Sequence, residues 1–113
     1  MSTIFKDIID KKIEADIIFE DDDILCFKDV NPVAPIHLLI IPKKEIKTVN
    51  DIKDSDARLM GRLFTSAKFI AKKLNIDKEG YRLVVNCNKI AGQTVYHLHM
   101  HLIAGRDLSW PPG

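Results

Sequence analysis

The stretch His97-Leu98-His99-Met100-His101-Leu102-Ile103 alternates imidazole and apolar side chains near the end of a 113-residue chain. Because side chains of a β-strand point alternately to the two faces of a sheet, this alternation predicts a strand with three histidines on one face. Leu98, Met100 and Leu102 then point to the opposite face, into a core. Three imidazoles on an otherwise apolar strand are improbable as packing alone, so we interpret the row as functional.

Two kinds of chemistry use such a row. Imidazole is a common zinc ligand, and two histidines on one strand can bind a metal together. Imidazole is also a nucleophile and an acid–base group, because its pKa lies near neutrality. The fourth histidine, His37, lies in the apolar run Ile36-His37-Leu38 and joins the same site if the two strands are neighbours. No Cys-x-x-Cys pair or suitably spaced carboxylate completes a metal shell, so we favour an interpretation with no metal and no cofactor.

The turn Gly92-Gln93-Thr94 comes shortly before His97. Its backbone N–H groups and the Thr94 hydroxyl could cradle a phosphate. The tripeptide alone is a weak signal, and its value comes from its position. Together with the histidines it indicates chemistry on a phosphate ester or amide.

The remaining pattern predicts two helices and four further strands. A first helix from about Ile4 to Lys11 follows a cap at Ser2 or Thr3. The strands are predicted at Asp16–Glu20, Ile24–Lys28, Ile36–Ile41 and Tyr81–Asn86, with the histidine strand running from Thr94 or Val95 to Ile103. Hairpins with a helix laid across them indicate one antiparallel α+β domain over residues 1–113.

An apolar stripe of helical period predicts the long second helix, which begins after Asp54-Ser55-Asp56. Its members are Leu59, Met60, Leu63, Phe64, Ala67, Ile70, Ala71 and Leu74. Gly61 inside it would cost about 1 kcal/mol relative to Ala. The glycine is equally compatible with close backbone packing, for example on a second subunit, and with simple tolerance of a glycine at this position.

The composition argues against several classes of partner. The chain is 46% hydrophobic and 29% charged, with a formal net charge of +1, so it lacks the basic excess of a nucleic-acid or membrane-surface binder. No apolar run approaches the roughly 20 residues that span a bilayer, and the N-terminus does not resemble a signal peptide. Cys26 and Cys87 fit small buried side chains in a reducing compartment better than a disulfide. The expected location is the cytoplasm, with the nucleus as an alternative.

The histidine row resembles the His-x-His-x-His-x-x signature of the histidine triad (HIT) superfamily, in which x is apolar. The resemblance extends over essentially the whole chain. Within the superfamily the chain looks like the Hint branch, the protein kinase C-interacting protein 1-like purine nucleoside phosphoramidases. The segments that carry it are Ile18–Asp22, Ala34–His37, Ile41–Lys44, Gly80–Arg82, Gly92–His97 and Trp110-Pro111-Pro112-Gly113. It implies a five-stranded antiparallel sheet with two helices, continued across a homodimer.

The resemblance also implies a role for individual residues. His99 matches the nucleophile that takes a nucleoside monophosphate as a covalent phosphoramidate, and His97 and His101 match the residues that orient it and contact phosphate. His37 matches the fourth histidine of the site, and Asp29 matches the carboxylate that binds the ribose hydroxyls. Phosphate and leaving-group contacts are implied for Asn86, Gly92, Gln93 and Thr94, the purine slot for Ile4, Phe5, Ile8, Phe27 and Val30, and a leaving-group contact in the partner subunit for Trp110.

Departures from the family leave some functions open. Lys28 replaces the histidine common beside the ribose carboxylate, Asn88–Ala91 replaces a glycine-rich stretch, and the Cys-x-x-Cys of zinc-containing relatives is absent. The resemblance favours hydrolysis of the P–N bond of adenosine or guanosine 5′-phosphoramidates, with AMP or GMP as product. A dinucleoside polyphosphate hydrolase and a nucleotide-binding regulatory or scaffold protein are the alternatives.

Overall fold

Five antiparallel strands form one sheet in the computed structural model, which describes residues 3–113. The strands are β1 (Ile17–Glu20), β2 (Ile24–Lys28), β3 (Ile36–Pro42), β4 (Arg82–Val84) and β5 (Met100–Ala104). They lie in the order β1-β2-β3-β5-β4. The helices are α1 (Ile4–Ile9), α2 (Ala57–Lys73) and the one-turn α3 (Asn88–Ala91), with two 3-10 turns at Val49–Asp51 and Asp54–Asp56. The predicted α+β fold with a five-stranded antiparallel sheet is confirmed, and α3 is an additional helix between β4 and β5 that the sequence pattern did not predict.

The first helix is capped as the sequence predicts but is shorter. The Thr3 hydroxyl accepts a hydrogen bond from the Lys6 backbone N–H at 3.1 Å, whereas the alternative cap, Ser2, lies outside the described residues. The helix ends at Ile9 and not at Lys11, because Lys11 adopts a φ of 61°, which right-handed helix cannot continue. Phe5 and Ile8 are its buried residues and pack on the sheet.

The two faces of the sheet pack against different helices. Alternate residues of β2 and β3, among them Cys26 and Ile40, join the core beneath α2. The residues between them, including Phe27 and Leu39, pack with Phe5 and Ile8 on the opposite face. Because side chains alternate between the faces of a strand, α2 packs on one face of the sheet and α1 on the other. Leu98, Met100 and Leu102 lie in the α2 core as predicted.

Helix α2 buries Leu63, Ser66, Ala67, Ile70 and Ala71. Phe64, which the sequence placed on the apolar stripe, is 59% exposed. It lies at the edge of the helix face that those residues form. An added side chain at Gly61 would meet nothing within 4 Å. The close packing considered for Gly61 is therefore not made within residues 3–113. No helix in that range is long and apolar enough to cross a membrane.

The fifth strand begins at Met100, so the prediction of a start at Thr94 or Val95 is wrong. β5 pairs with β3 from Ile36↔Ala104 to Ile40↔Met100. The β3–β5 ladder does not extend further because β3 ends at Pro42, which has no N–H to donate. The Leu98 N–H does not pair with β3 and donates to the Ile46 carbonyl at 2.7 Å. His97 and His99 therefore precede the strand, although the alternation of faces continues through them. β4 is likewise shorter than the predicted strand at residues 81–86.

Candidate active site

All four histidines meet on the α1 side of the sheet. β3 and β5 are neighbours, and the His37 Nε2 and His101 Nδ1 atoms lie 2.9 Å apart. The His99 ring lies 5.1 Å from the His101 ring and 5.1 Å from the Phe5 ring, between centroids. His97, His99 and His37 are buried, and His101 is partly exposed. The conditional expectation that His37 joins the site when its strand adjoins the last one is therefore met.

Backbone contacts assign the tautomer of His37. The Val33 N–H donates to His37 Nδ1 at 3.1 Å, so this nitrogen acts as an acceptor and the neutral ring carries its proton on Nε2. That Nε2–H then donates to His101 Nδ1, with the Asp29 carboxylate Oδ2 at 3.3 Å as a second partner. His101 consequently carries its own proton on Nε2. One backbone N–H thus orders the protons of two histidines.

Backbone carbonyls assign the other two rings. His99 Nδ1 lies 2.7 Å from the His97 carbonyl oxygen, to which it donates. His99 Nε2 is therefore left with its lone pair, in the form that a nucleophile requires. His97 Nε2 donates to the Pro42 carbonyl at 2.7 Å, which holds this buried ring below the site. The two residues play different parts, since His97 supplies through its main chain the oxygen that orients His99.

Burial keeps the central imidazoles uncharged near neutral pH. It lowers the pKa of both His97 and His99 from 6.5, in each case against the opposing effect of the hydrogen bond to a carbonyl. The pKa of His101 falls further, to about 4, because of burial and then because of the positive charge that His99 and His37 can carry. Neutral His99 is thus the dominant form at pH 7, with its lone pair available.

A cavity of about 340 Å³ opens beside His99 and His101. It brings together residues that the sequence assigned to separate parts of a nucleotide site: Ile4, Phe5, Ile8, Phe27, Lys28, Asp29, Val30 and Thr94. The Phe5 and Phe27 rings pack edge to face at 5.3 Å and form an apolar wall. Asp29 follows β2 and lies at the point where this wall meets the histidines. An elongated ligand can therefore touch an apolar slot, a carboxylate and an imidazole in sequence.

Asp29 has two structural contacts of its own. Its Oδ1 accepts the Asn31 N–H at 2.8 Å. This bond to the backbone two residues on is the usual contact of an aspartate in a turn. Its Oδ2 faces His37 Nε2 at 3.3 Å. An ionised carboxylate has about four acceptor positions, so these contacts leave capacity for ligand hydroxyls. The turn role and the predicted ribose role are thus compatible.

Several other residues implied by the resemblance lie outside this cavity. Gln93 is buried, and its amide nitrogen donates to the Lys47 and Val95 carbonyls at 2.7 and 3.1 Å. Its side-chain oxygen accepts the Asn88 N–H at 2.8 Å, so its polar atoms hold the loop before the histidines. Gly92 ends α3 with a φ of 96°, Asn86 is partly buried beyond β4, and Trp110 is 81% exposed.

Sequence reasoning missed part of the cavity lining. Leu39 lies beside Phe27 in the sheet register and could have been found from the alternation of β3. Asn31 and Val95 also line the cavity, as does the connection between α1 and β1 at residues 13–16. That connection has no motif, and only the packing of α1 on the sheet brings it there.

Asp29, His37 and His101 each have one oxygen or nitrogen atom within 4.8 Å of the other two, which is close enough for a shared metal ion. The hydrogen bond from Val33 argues against this use. It occupies Nδ1 of His37 and leaves the proton on Nε2, whereas a metal needs the lone pair of an unprotonated nitrogen. The donor set therefore fits a hydrogen-bonded proton path better than a metal ion.

The chain is similar in sequence and in fold to known proteins. A family model described as HIT domain matches residues 10–108. An uncharacterized HIT-like protein of Synechococcus elongatus is 49% identical over 98% of this chain and 96% of its own length. The crystal structure of a HIT family hydrolase from Legionella pneumophila has a TM-score of 0.97 at 47% identity, covering 99% of this chain and 100% of that one. A histidine triad nucleotide-binding protein from Candida albicans has a TM-score of 0.86 at 31% identity, covering 97% and 83%.

Proposed function

The chain belongs to the HIT domain family, and on that premise we propose that it is a purine nucleoside phosphoramidase that works through a covalent nucleotidyl-histidine. The observation that carries the proposal is the orientation of His99. Its Nδ1–H is fixed on the His97 carbonyl, and its ring borders the cavity with Nε2 unprotonated. The similarity to HIT family hydrolases extends over the whole fold.

In the first step, His99 Nε2 attacks phosphorus and the P–N bond breaks. The electron pair of that bond goes to the amine nitrogen, which takes up one proton as it leaves. Thr94 is exposed at the rim of the cavity and offers a hydroxyl through which this proton can pass. The product is nucleotidyl-His99, whose imidazole ring is now positively charged.

The covalent intermediate is stabilised by the same contact that orients the nucleophile. A charged imidazole donates a stronger hydrogen bond than a neutral one, so the 2.7 Å contact from Nδ1 to the His97 carbonyl strengthens as the N–P bond forms. In the second step, water attacks phosphorus and the Nε2–P bond returns its electrons to His99. The proton released by water replaces the one that the amine took.

The remaining cavity residues suit the rest of a nucleotide. The Phe5–Phe27 wall and the isoleucines of α1 form a slot for a flat base. The Asp29 carboxylate can accept hydrogen bonds from the ribose hydroxyls. A neutral His101 with its proton on Nε2 can donate to a phosphate oxygen and stabilise the developing charge.

We also propose a homodimer that continues the sheet. β4 lies at the edge of the sheet, so its outer side is available for pairing. The adjacent apolar side chains Phe64 and Val85 are exposed, as is Trp110 in the tail. A two-fold dimer would cover these side chains by using the same patch twice. Sedimentation at micromolar concentration tests this, and a monomeric mass would contradict it.

Turnover of a lysine-linked adenosine phosphoramidate is the direct test of the activity. His99→Asn should lower kcat/KM at least about a thousandfold, as removal of a covalent nucleophile does, while AMP affinity stays within about threefold because the amide keeps one polar atom in place. Intact-protein mass spectra of wild type after an acid quench should show an added nucleotidyl group that the variant lacks. Near-native turnover by His99→Asn would refute the assignment, and faster cleavage of diadenosine triphosphate would favour a dinucleoside polyphosphate hydrolase.

A further inference from the structure

The cavity has a base end that lies away from the histidines. β1 and β5 are three inter-strand spacings apart in the sheet, which is about 14 Å. Asp16 just precedes β1, and its carbonyl accepts the Lys28 N–H at 3.0 Å, so residues 13–16 lie against the far side of β2. A nucleotide with phosphorus at His99 and ribose at Asp29 therefore directs its base toward residues 13–16.

Three charged side chains line that end of the cavity. Glu14 and Asp16 supply carboxylates, and Lys28 supplies an ammonium group. Lys28 Nζ lies 3.3 Å from Asp16 Oδ2, with both side chains more than half exposed. The other lining residues there, such as Ile8, Ile13 and Ala15, are apolar. Around an apolar slot, the rim thus offers two hydrogen-bond acceptors and one donor.

We propose that Glu14, Asp16 and Lys28 make this site selective for guanine nucleotides. The edge of guanine presents two donors, N1–H and the 2-amino group, and one acceptor, O6, which is the complement of the rim. Adenine presents one donor, its 6-amino group, and an acceptor at N1, so one carboxylate has no partner. Hypoxanthine keeps O6 and N1–H but lacks the 2-amino donor. The inference rests on the proposed function for the direction in which the nucleotide lies.

The expected preference is modest because the charged side chains are exposed. A hydrogen bond to a charged group is worth more than a neutral one, but solvent screening reduces its contribution at a surface. One additional contact of this kind corresponds to about threefold to tenfold in affinity. The order expected is GMP tighter than IMP, and IMP no weaker than AMP.

Calorimetric titration of wild-type protein with GMP, IMP and AMP tests the inference, because these monophosphates lack the P–N bond that the proposed reaction cleaves. The Kd for GMP should be about threefold to tenfold lower than that for IMP. The double variant Glu14→Ala/Asp16→Ala should bring the GMP and IMP values within about twofold of each other. Both residues are exposed, so the fold should be unaffected.

A matched control separates the contact from net charge. Asp77→Ala/Glu79→Ala removes the same two charges from exposed positions in the connection to β4, at the opposite edge of the sheet. The control should keep the GMP preference of wild type. Equal Kd values for GMP and IMP in wild type, or an unchanged preference in Glu14→Ala/Asp16→Ala, would overturn the inference.

The outcome can be distinguished from failure of the proposed function. Selective GMP binding without phosphoramidate turnover would overturn the activity and leave the selectivity. Phosphoramidate turnover with equal binding of the three monophosphates would overturn the selectivity and leave the activity. Binding of none of them would overturn both.

Discussion

Replacing His101 with Gln should make the stability of the protein less sensitive to acid. The pKa of His101 in the folded protein is about 4, against 6.5 for the free side chain. The folded state therefore binds this proton less readily than the unfolded state. Its contribution to stability is fully present above about pH 6.5 and is lost as the pH falls toward 4. Between pH 7.5 and pH 5, proton linkage with these two values amounts to about 2 kcal/mol of unfolding free energy.

Urea unfolding of wild type and His101→Gln at several pH values between 7.5 and 5 measures the difference. Glutamine keeps an oxygen that can accept the His37 Nε2–H, so the partner remains satisfied. Wild type should lose about 2 kcal/mol more than the variant over this range, because the contributions of the other histidines and of the carboxylates are common to both proteins and cancel. His101→Asn is the control for packing, since a packing cost is independent of pH. Parallel pH profiles for wild type and both variants would refute the reasoning.

Three further outcomes are expected. Asp29→Ala should weaken AMP binding about tenfold more than 2′-deoxy-AMP binding, since charged hydrogen bonds to the ribose are lost; titration that shows equal losses for the two sugars would exclude the ribose role. Exhaustive chelation should change kcat/KM by less than about twofold because the His37 proton blocks a metal ligand, whereas loss of activity restored by zinc would favour the metal interpretation. The Ser66 hydroxyl is buried in α2 without a hydrogen-bond partner within residues 3–113, so Ser66→Ala should leave the unfolding free energy unchanged or raise it by up to about 1 kcal/mol; a clear fall in Tm would show that the hydroxyl is satisfied.

The roles of single residues came from two different sources of information. The alternation in residues 97–103 predicted which side chains enter the core and which face the site, and the structure agrees. The roles proposed for Asp29 at the ribose and for the apolar side chains at the purine came only from the resemblance to the histidine triad superfamily, because no local pattern distinguishes Asp29 from another turn aspartate. In the structure Asp29 forms a turn with Asn31, faces His37 and lines the cavity.

The sequence by itself determined the faces of the strands, the amphipathic helix and the histidine row, because these follow from side-chain periods that a short segment contains. Only the tertiary structure decided where β5 begins, since that depends on Pro42 and Ile46 more than 50 residues earlier in the chain. It also decided the proton positions, because Val33 and Pro42 supply the backbone groups that bind the rings of His37 and His97. The base end of the cavity follows from the packing of α1 and its connection on the sheet. The His37–His101 and His97–Pro42 contacts join residues 64 and 55 positions apart. Partners so distant in sequence leave no periodic signal, so the arrangement of the four imidazoles is fixed only when the chain folds.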